Sequence, residues 1–225
     1  MGKYVISSGH GLYIRGAAKY LDEVNEARRV VKKVAEYMEE LGSTVYQFHD
    51  NTSKNQKDNI NAIVKYHNSK SRDLDISVHF NANSPTNDPR GTEVLYLTEK
   101  ALSAKVSKAI AEAGGLKDRG AKYRDNLGFL KGTVKPAILI EVCFVDSAKD
   151  KELYEANFDK ICKAIAESIV GKKLPSAKTE QATSTETNGK VYRLFTGTFK
   201  TKASAEAAAD KITKATGLQI KIREE

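Results

Sequence analysis

The chain has 225 residues, with 37 Lys+Arg against 29 Asp+Glu for a formal net charge of +8, and 40% of its residues are hydrophobic. That is too apolar for a disordered chain, and 4 Pro and 15 Gly are too few for a fibrous or low-complexity one. No run approaches the roughly 18 apolar residues that span a bilayer, 2 Cys do not make a disulfide framework, and the opening Met1-Gly2-Lys3-Tyr4-Val5-Ile6 lacks the pattern of a signal peptide. The protein is therefore expected to be made in a cytoplasm. Its positive charge should draw an anionic partner, and nucleic acid, a membrane surface and an anionic cell-wall polymer all qualify.

In chain order, Tyr4-Val5-Ile6 predicts a first strand. Residues 23–41 predict a helix, because Ala27, Val30, Val31, Val34, Met38 and Leu41 recur at helical spacing and Gly42 follows as a stop. Residues 44–48 predict a strand, 57–67 a helix carrying Ile60, Ile63 and Val64, and 74–80 a strand ending in His79-Phe80-Asn81-Ala82. A strand over 92–97 and a helix over 101–113 follow. Residues 137–145 form an apolar strand interrupted only by Glu141, and 151–170 a closing helix. Alternation of apolar strands with helices predicts an α/β fold, a mainly parallel sheet with helices on both faces. Sites in such sheets form at the carboxyl ends of the strands.

Residues 175–189 read PSAKTEQATSTETNG and contain no aromatic or large aliphatic residue. Such a stretch cannot bury enough apolar area to order itself, so it reads as a linker. This leaves a domain over residues 1–174 and a tail over 190–225, patterned as strand, helix, strand (a small βαβ module). An isolated module of that size is smaller than the roughly 40 residues that usually fold unaided. It holds eight basic and four acidic residues, half of the excess charge.

Four residues stand out against their surroundings. His10 follows the first strand, His79 ends the third, and Glu141 interrupts the last. Glu23 falls on the apolar face of the first helix, where a carboxylate is costly unless paired or ligated, whereas Glu26 lies towards the polar edge and reads as solvated. Two His and a carboxylate are a set that binds catalytic zinc and leaves a position for water, and a further carboxylate, Glu141, would serve as general base. His49 reads as a strand-end loop residue and His67 as a helix C-terminal residue favoured by the dipole. Cys143 and Cys162 read as packing thiols. Strand alternation puts Cys143 on the same face as Glu141, which leaves a Cys ligand as a lesser alternative.

Ser7-Ser8-Gly9-His10, a Glu opening the first helix, Ser77-Val78-His79-Phe80-Asn81-Ala82 and Pro136-Ala137-Ile138-Leu139-Ile140-Glu141 together resemble the zinc-dependent N-acetylmuramoyl-L-alanine amidases of the type-3 family, and look closest to its phage endolysin branch. The resemblance covers residues 1–174. It implies zinc ligands at His10, Glu23 and His79 and a catalytic role for Glu141. Ser7-Ser8 stands where that family usually has Asp-Pro, and the family's Arg-Glu-Lys helix start is absent, so Glu26 stays open as the alternative to Glu23. The activity implied is hydrolysis of the amide between N-acetylmuramic acid and L-alanine in peptidoglycan, with bacterial cell lysis as the consequence. A zinc peptidase of cell-wall stems and a non-catalytic wall-binding or sporulation protein remain alternatives. Tyr192 to Phe199 followed by Ala205-Glu206-Ala207-Ala208 is similar to half of a SPOR peptidoglycan-binding repeat. A half-module implies pairing with a second chain, hence a homodimer through residues 190–225. With this resemblance the expected anionic partner becomes a bacterial wall polymer rather than nucleic acid.

Overall fold

The computed structural model describes residues 1–174, together with residues 206 and 208–210 of the tail. The linker and both tail strands expected from the sequence lie outside the described residues. The chain divides into two compact units, Met1–Lys178 and Thr179–Glu225.

The first unit runs β1 (Lys3–Ser8), α1 (Glu23–Glu40), β2 (Thr44–Phe48), α2 (Gln56–Asn68), β3 (Leu74–Asn81), β4 (Thr92–Tyr96), α3 (Lys100–Gly114), β5 (Asp118–Tyr123), α4 (Gly128–Gly132), β6 (Ala137–Phe144) and α5 (Ala148–Val170). Side-chain caps start α1 and α5: Asp22 accepts from the N–H of Asn25 ahead of α1, and Ser147 from that of Asp150 ahead of α5. Gly171, at φ +74°, ends α5 in a left-handed turn.

The sheet has six strands in the order β2-β1-β3-β6-β4-β5. Every neighbouring pair is parallel except β4 and β6, which run antiparallel. One face of the sheet packs Ile6, Ile76, Val78, Ile138 and Ile140 against the apolar stripe of α1 and against α3 and α5. The other face packs Leu95, Ala137 and Leu139 against Ile63 of α2 and Phe129 and Leu130 of α4. The expected fold class therefore holds.

Two elements escape the sequence reading. β5, Asp-Arg-Gly-Ala-Lys-Tyr, is an edge strand with no apolar alternation, and α4 is too short to show a helical period. Among the described residues no helix is long and apolar enough to cross a membrane.

Candidate metal centre

β1, β3 and β6 lie side by side and point the same way, so residues at their carboxyl ends converge on one edge. The ladder between β1 and β3 continues one step past β1, where the Gly9 N–H donates to the Val78 carbonyl at 2.9 Å. That step brings the next residue, His10, against His79, with ring centroids 5.0 Å apart and planes at 79°. The His79 ring fills the space where a side chain at residue 9 would begin, so only glycine fits there.

Glu23 closes the cluster as the first residue of α1. Its Oε1 accepts from His79 Nδ1 at 3.1 Å and from the Phe80 N–H at 3.1 Å, and lies 3.4 Å from His10 Nε2. Its Oε2 accepts from the Ala17 N–H at 2.8 Å. Gly16, at φ +71°, lets the β1–α1 loop turn tightly over Glu23 and His10. One ligand atom from each of His10, Glu23 and His79 lies within 4.8 Å of the others.

Glu26 is elsewhere. It accepts from Tyr154 Oη at 2.8 Å and pairs with Arg29 at 2.5 Å, and its side chain is only 15% exposed. The expectation that it is solvated fails, because α5 packs over that side of α1.

Glu141 stands directly beside His79 in the β3–β6 ladder, and Glu93 beside Glu141 in the β4–β6 ladder. Paired residues share a face, so His79, Glu141 and Glu93 form a row across three strands. Past Glu141 the register shifts, and Asn81 pairs with Phe144. Val142 and Cys143 both pack into the α1/α3/α5 core at this bulge. Cys143 is therefore turned away from Glu141, contrary to simple alternation, and it reads as a packing thiol only.

Burial dominates the electrostatics. It drives the Glu141 carboxyl up to about 7, with Glu23 and Glu93 adding to the rise and His79 opposing it. Burial pushes His79 down, but the hydrogen bond to Glu23 and the charges of Glu141 and Glu23 carry it above its ordinary value. Burial also raises Glu23, yet the His79 hydrogen bond and both imidazoles outweigh it and hold the carboxylate low. His10 is lowered, chiefly by burial.

Two imidazoles and a carboxylate at this spacing are nitrogen and oxygen donors of the kind a divalent metal takes. His10 Nδ1 and Glu141 Oε2 are buried and, among the described residues, have no hydrogen-bond partner. Buried polar atoms are normally satisfied, so the cluster fits a bound cation, with Glu141 free to meet a polar group beside it.

The sequence reading missed Glu93, Asn81 and Arg119. Glu93 is 5% exposed, accepts from Asn81 Nδ2 at 3.0 Å and pairs with Arg119 Nε at 2.7 Å. A charge inside the predicted strand over 92–97 was a usable signal, whereas Arg119 lies on the strand that patterning did not reveal. His67 does lie in the last turn of α2, as expected, but its neighbours are specific partners rather than the helix end alone. It is fully buried, bonded through Nδ1 to Asp75 at 2.8 Å and through Nε2 to Ser7 at 2.9 Å. His49 does follow β2, where its Nδ1 meets Ser8 Oγ at 3.0 Å.

The fold and donor set define an α/β domain with a candidate metal centre at its carboxyl edge. The chain belongs to the N-acetylmuramoyl-L-alanine amidase family, whose pattern it matches over residues 5–171, and it matches the SPOR domain over residues 168–219. The SPOR match takes in the stretch that composition reads as a linker. An uncharacterized 38.4 kDa protein of Clostridium perfringens is 31% identical over 222 residues, 92% of this chain and 62% of that protein. The chain thus spans less than two thirds of that relative. The catalytic domain of the CD27L endolysin targeting Clostridia Difficile superposes with a TM-score of 0.71 at 24% identity, over 78% of this chain and 100% of that one. The catalytic domain of CwlV, an N-acetylmuramoyl-L-alanine amidase from Bacillus (Paenibacillus) polymyxa var. colistinus, superposes with a TM-score of 0.63 at 26% identity, over 76% and 97% of the two chains.

Proposed function

We propose that the protein hydrolyses the amide joining the lactyl group of N-acetylmuramic acid to L-alanine, using zinc held by His10, Glu23 and His79. Family membership supports cell-wall hydrolysis. The observation that carries the catalytic reading is Glu141, a half-buried residue in register beside His79 whose Oε2 is buried and, among the described residues, unpartnered. Zinc bound there would supply Lewis-acid activation of water and stabilisation of negative charge on the carbonyl oxygen.

The residues do the rest. Glu23 ties the start of α1 to both histidines and so holds the donor set in place before substrate arrives. Glu141 Oε2 takes a proton from the attacking water and delivers it to the departing nitrogen. A carbon–oxygen bond forms as the carbon–nitrogen bond breaks, leaving a lactyl carboxylate and a free L-alanine amine. A carboxyl whose proton affinity lies near neutrality suits both transfers.

The SPOR match supports peptidoglycan binding by the tail. In this reading the tail attaches the enzyme to an anionic bacterial wall and pairs with that of a second chain into a homodimer. The catalytic unit then acts on the wall after synthesis in a cytoplasm, as a lytic enzyme of endolysin type.

Glu141→Gln tests the catalytic assignment. It should keep the fold and zinc affinity but lower the hydrolysis rate by roughly 100-fold or more. Near-normal activity in that variant would place the base elsewhere.

A further inference from the structure

Beyond the base, the sheet edge carries a feature that hydrolysis of the amide does not itself require. β5 bulges where it passes β4: Thr92 pairs with Asp118 but Val94 with Ala121, so Arg119 and Gly120 together oppose Glu93. Gly120 takes φ +74° at the bulge, and Asp118 Oδ1 accepts its N–H at 2.8 Å. A bulge re-aims the side chain it carries, and here it turns Arg119 onto Glu93, which binds only the Nε of the guanidinium, at 2.7 Å.

Among the described residues no acceptor meets Nη1 or Nη2 of Arg119, and its side chain is 35% exposed. The guanidinium lies 5.0 Å from the centroid of Phe144, and that of Arg90 lies 5.4 Å from the same ring. The β6 bulge returns Phe144 to the face that bears Glu141. The result is a cationic, aromatic-backed patch that reaches two strands beyond the base, with a partly exposed planar donor fork. Such a fork matches a carboxylate bidentately.

We infer that Arg119, positioned by the buried Glu93, binds a carboxylate on the peptide side of the scissile amide, so that the enzyme selects an acidic second residue in the stem. This rests on the amidase reading above. The spacing agrees: two strand spacings of about 4.8 Å separate β6 from β5, the Arg119 guanidinium turns back onto the Glu93 carboxylate, and two to three residues of extended peptide, at about 3.3–3.6 Å each, cover that reach. A neutral side chain at the second position would leave the fork with only water.

The test is a binding measurement on the full chain with two peptides that differ in one carboxylate, L-alanyl-D-glutamic acid γ-methylamide and its α-carboxamide. Neither contains the muramoyl amide, so the result does not depend on turnover. Calorimetry should show the acid binding roughly tenfold or more tightly than the amide. Arg119→Ala should bring the acid down to the affinity of the amide, and Arg119→Lys should keep part of the difference. Equal affinities in the native protein, no detectable binding of either peptide at millimolar concentration, or a preference that persists in Arg119→Ala would each overturn the inference. The native comparison stands even if a variant fails to fold. Discrimination by a protein that cleaves no muramoyl peptide would defeat the amidase reading while leaving the carboxylate site intact.

Discussion

Glu141 carries a stability cost that its chemistry explains. Its carboxyl is raised to about 7 by burial first, then by Glu23 and Glu93, against an ordinary value of about 4.5 in the unfolded chain. The native state therefore holds more protons than the unfolded one between those values, and stability falls as pH rises through that window. In metal-free protein Glu141→Gln should be more stable than the native chain above pH 7, by about 3 kcal/mol at most, with no gain below about pH 4.5. Urea unfolding in chelator across that range checks it, and a difference that does not change with pH would contradict it. Ser7 and Ser8 also acquire a meaning. They stand where the resembling family usually has Asp-Pro, and each meets a histidine, His67 for Ser7 and His49 for Ser8. Ser7, His67 and Asp75 line up like a hydrolytic triad, but all are essentially inaccessible and Arg72 donates to both oxygens of Asp75. Sealed from substrate, the trio braces β1, β3 and α2. His67→Ala should cost about 2–4 kcal/mol of stability and leave zinc affinity within about twofold, as read by melting and by competition with a chromophoric chelator.

At the scale of elements, glycines at strand ends set the site as much as its polar residues do. Gly9 lets β1 run on beside β3 because the His79 ring occupies the place of its side chain. Gly9→Ala should displace His79 and weaken zinc binding by roughly 10–100-fold, the range seen when groups that orient ligands are lost, while the far core keeps its stability. An unchanged zinc affinity would show that His79 is not held by this contact. The sequence made the long, periodic elements legible: the α1 stripe fixed both that helix and the inward face of Glu23, and the apolar run of β6 fixed Glu141. It did not reveal what depends on partners. β5 has no apolar period because it is an edge strand held by pairing to β4, so Arg119 stayed hidden. The β6 bulge comes from register against β3, and without it alternation sent Cys143 to the wrong face. Glu26 looked solvated because nothing in α1 announces that α5 and Tyr154 cover it.

For the whole molecule, the net charge of +8 and the two units fit an enzyme brought to an anionic wall by its tail. A chain ending at Lys178 should still cleave a soluble muramoyl peptide, yet sediment with purified wall at least roughly tenfold less tightly than the full chain. Equal wall affinity for both would assign binding to the catalytic unit. Light scattering of the full chain at micromolar concentration should give the mass of a dimer, and a strictly monomeric mass would contradict pairing through the tail. Purified Gram-positive peptidoglycan digested by the zinc-loaded protein should release stem peptides with new L-alanine amino termini and intact muramoyl lactyl carboxylates, all abolished by Glu141→Gln, as read by mass spectrometry. New termini within the stem or cross-bridge, or new reducing ends, would show that the enzyme cuts another bond.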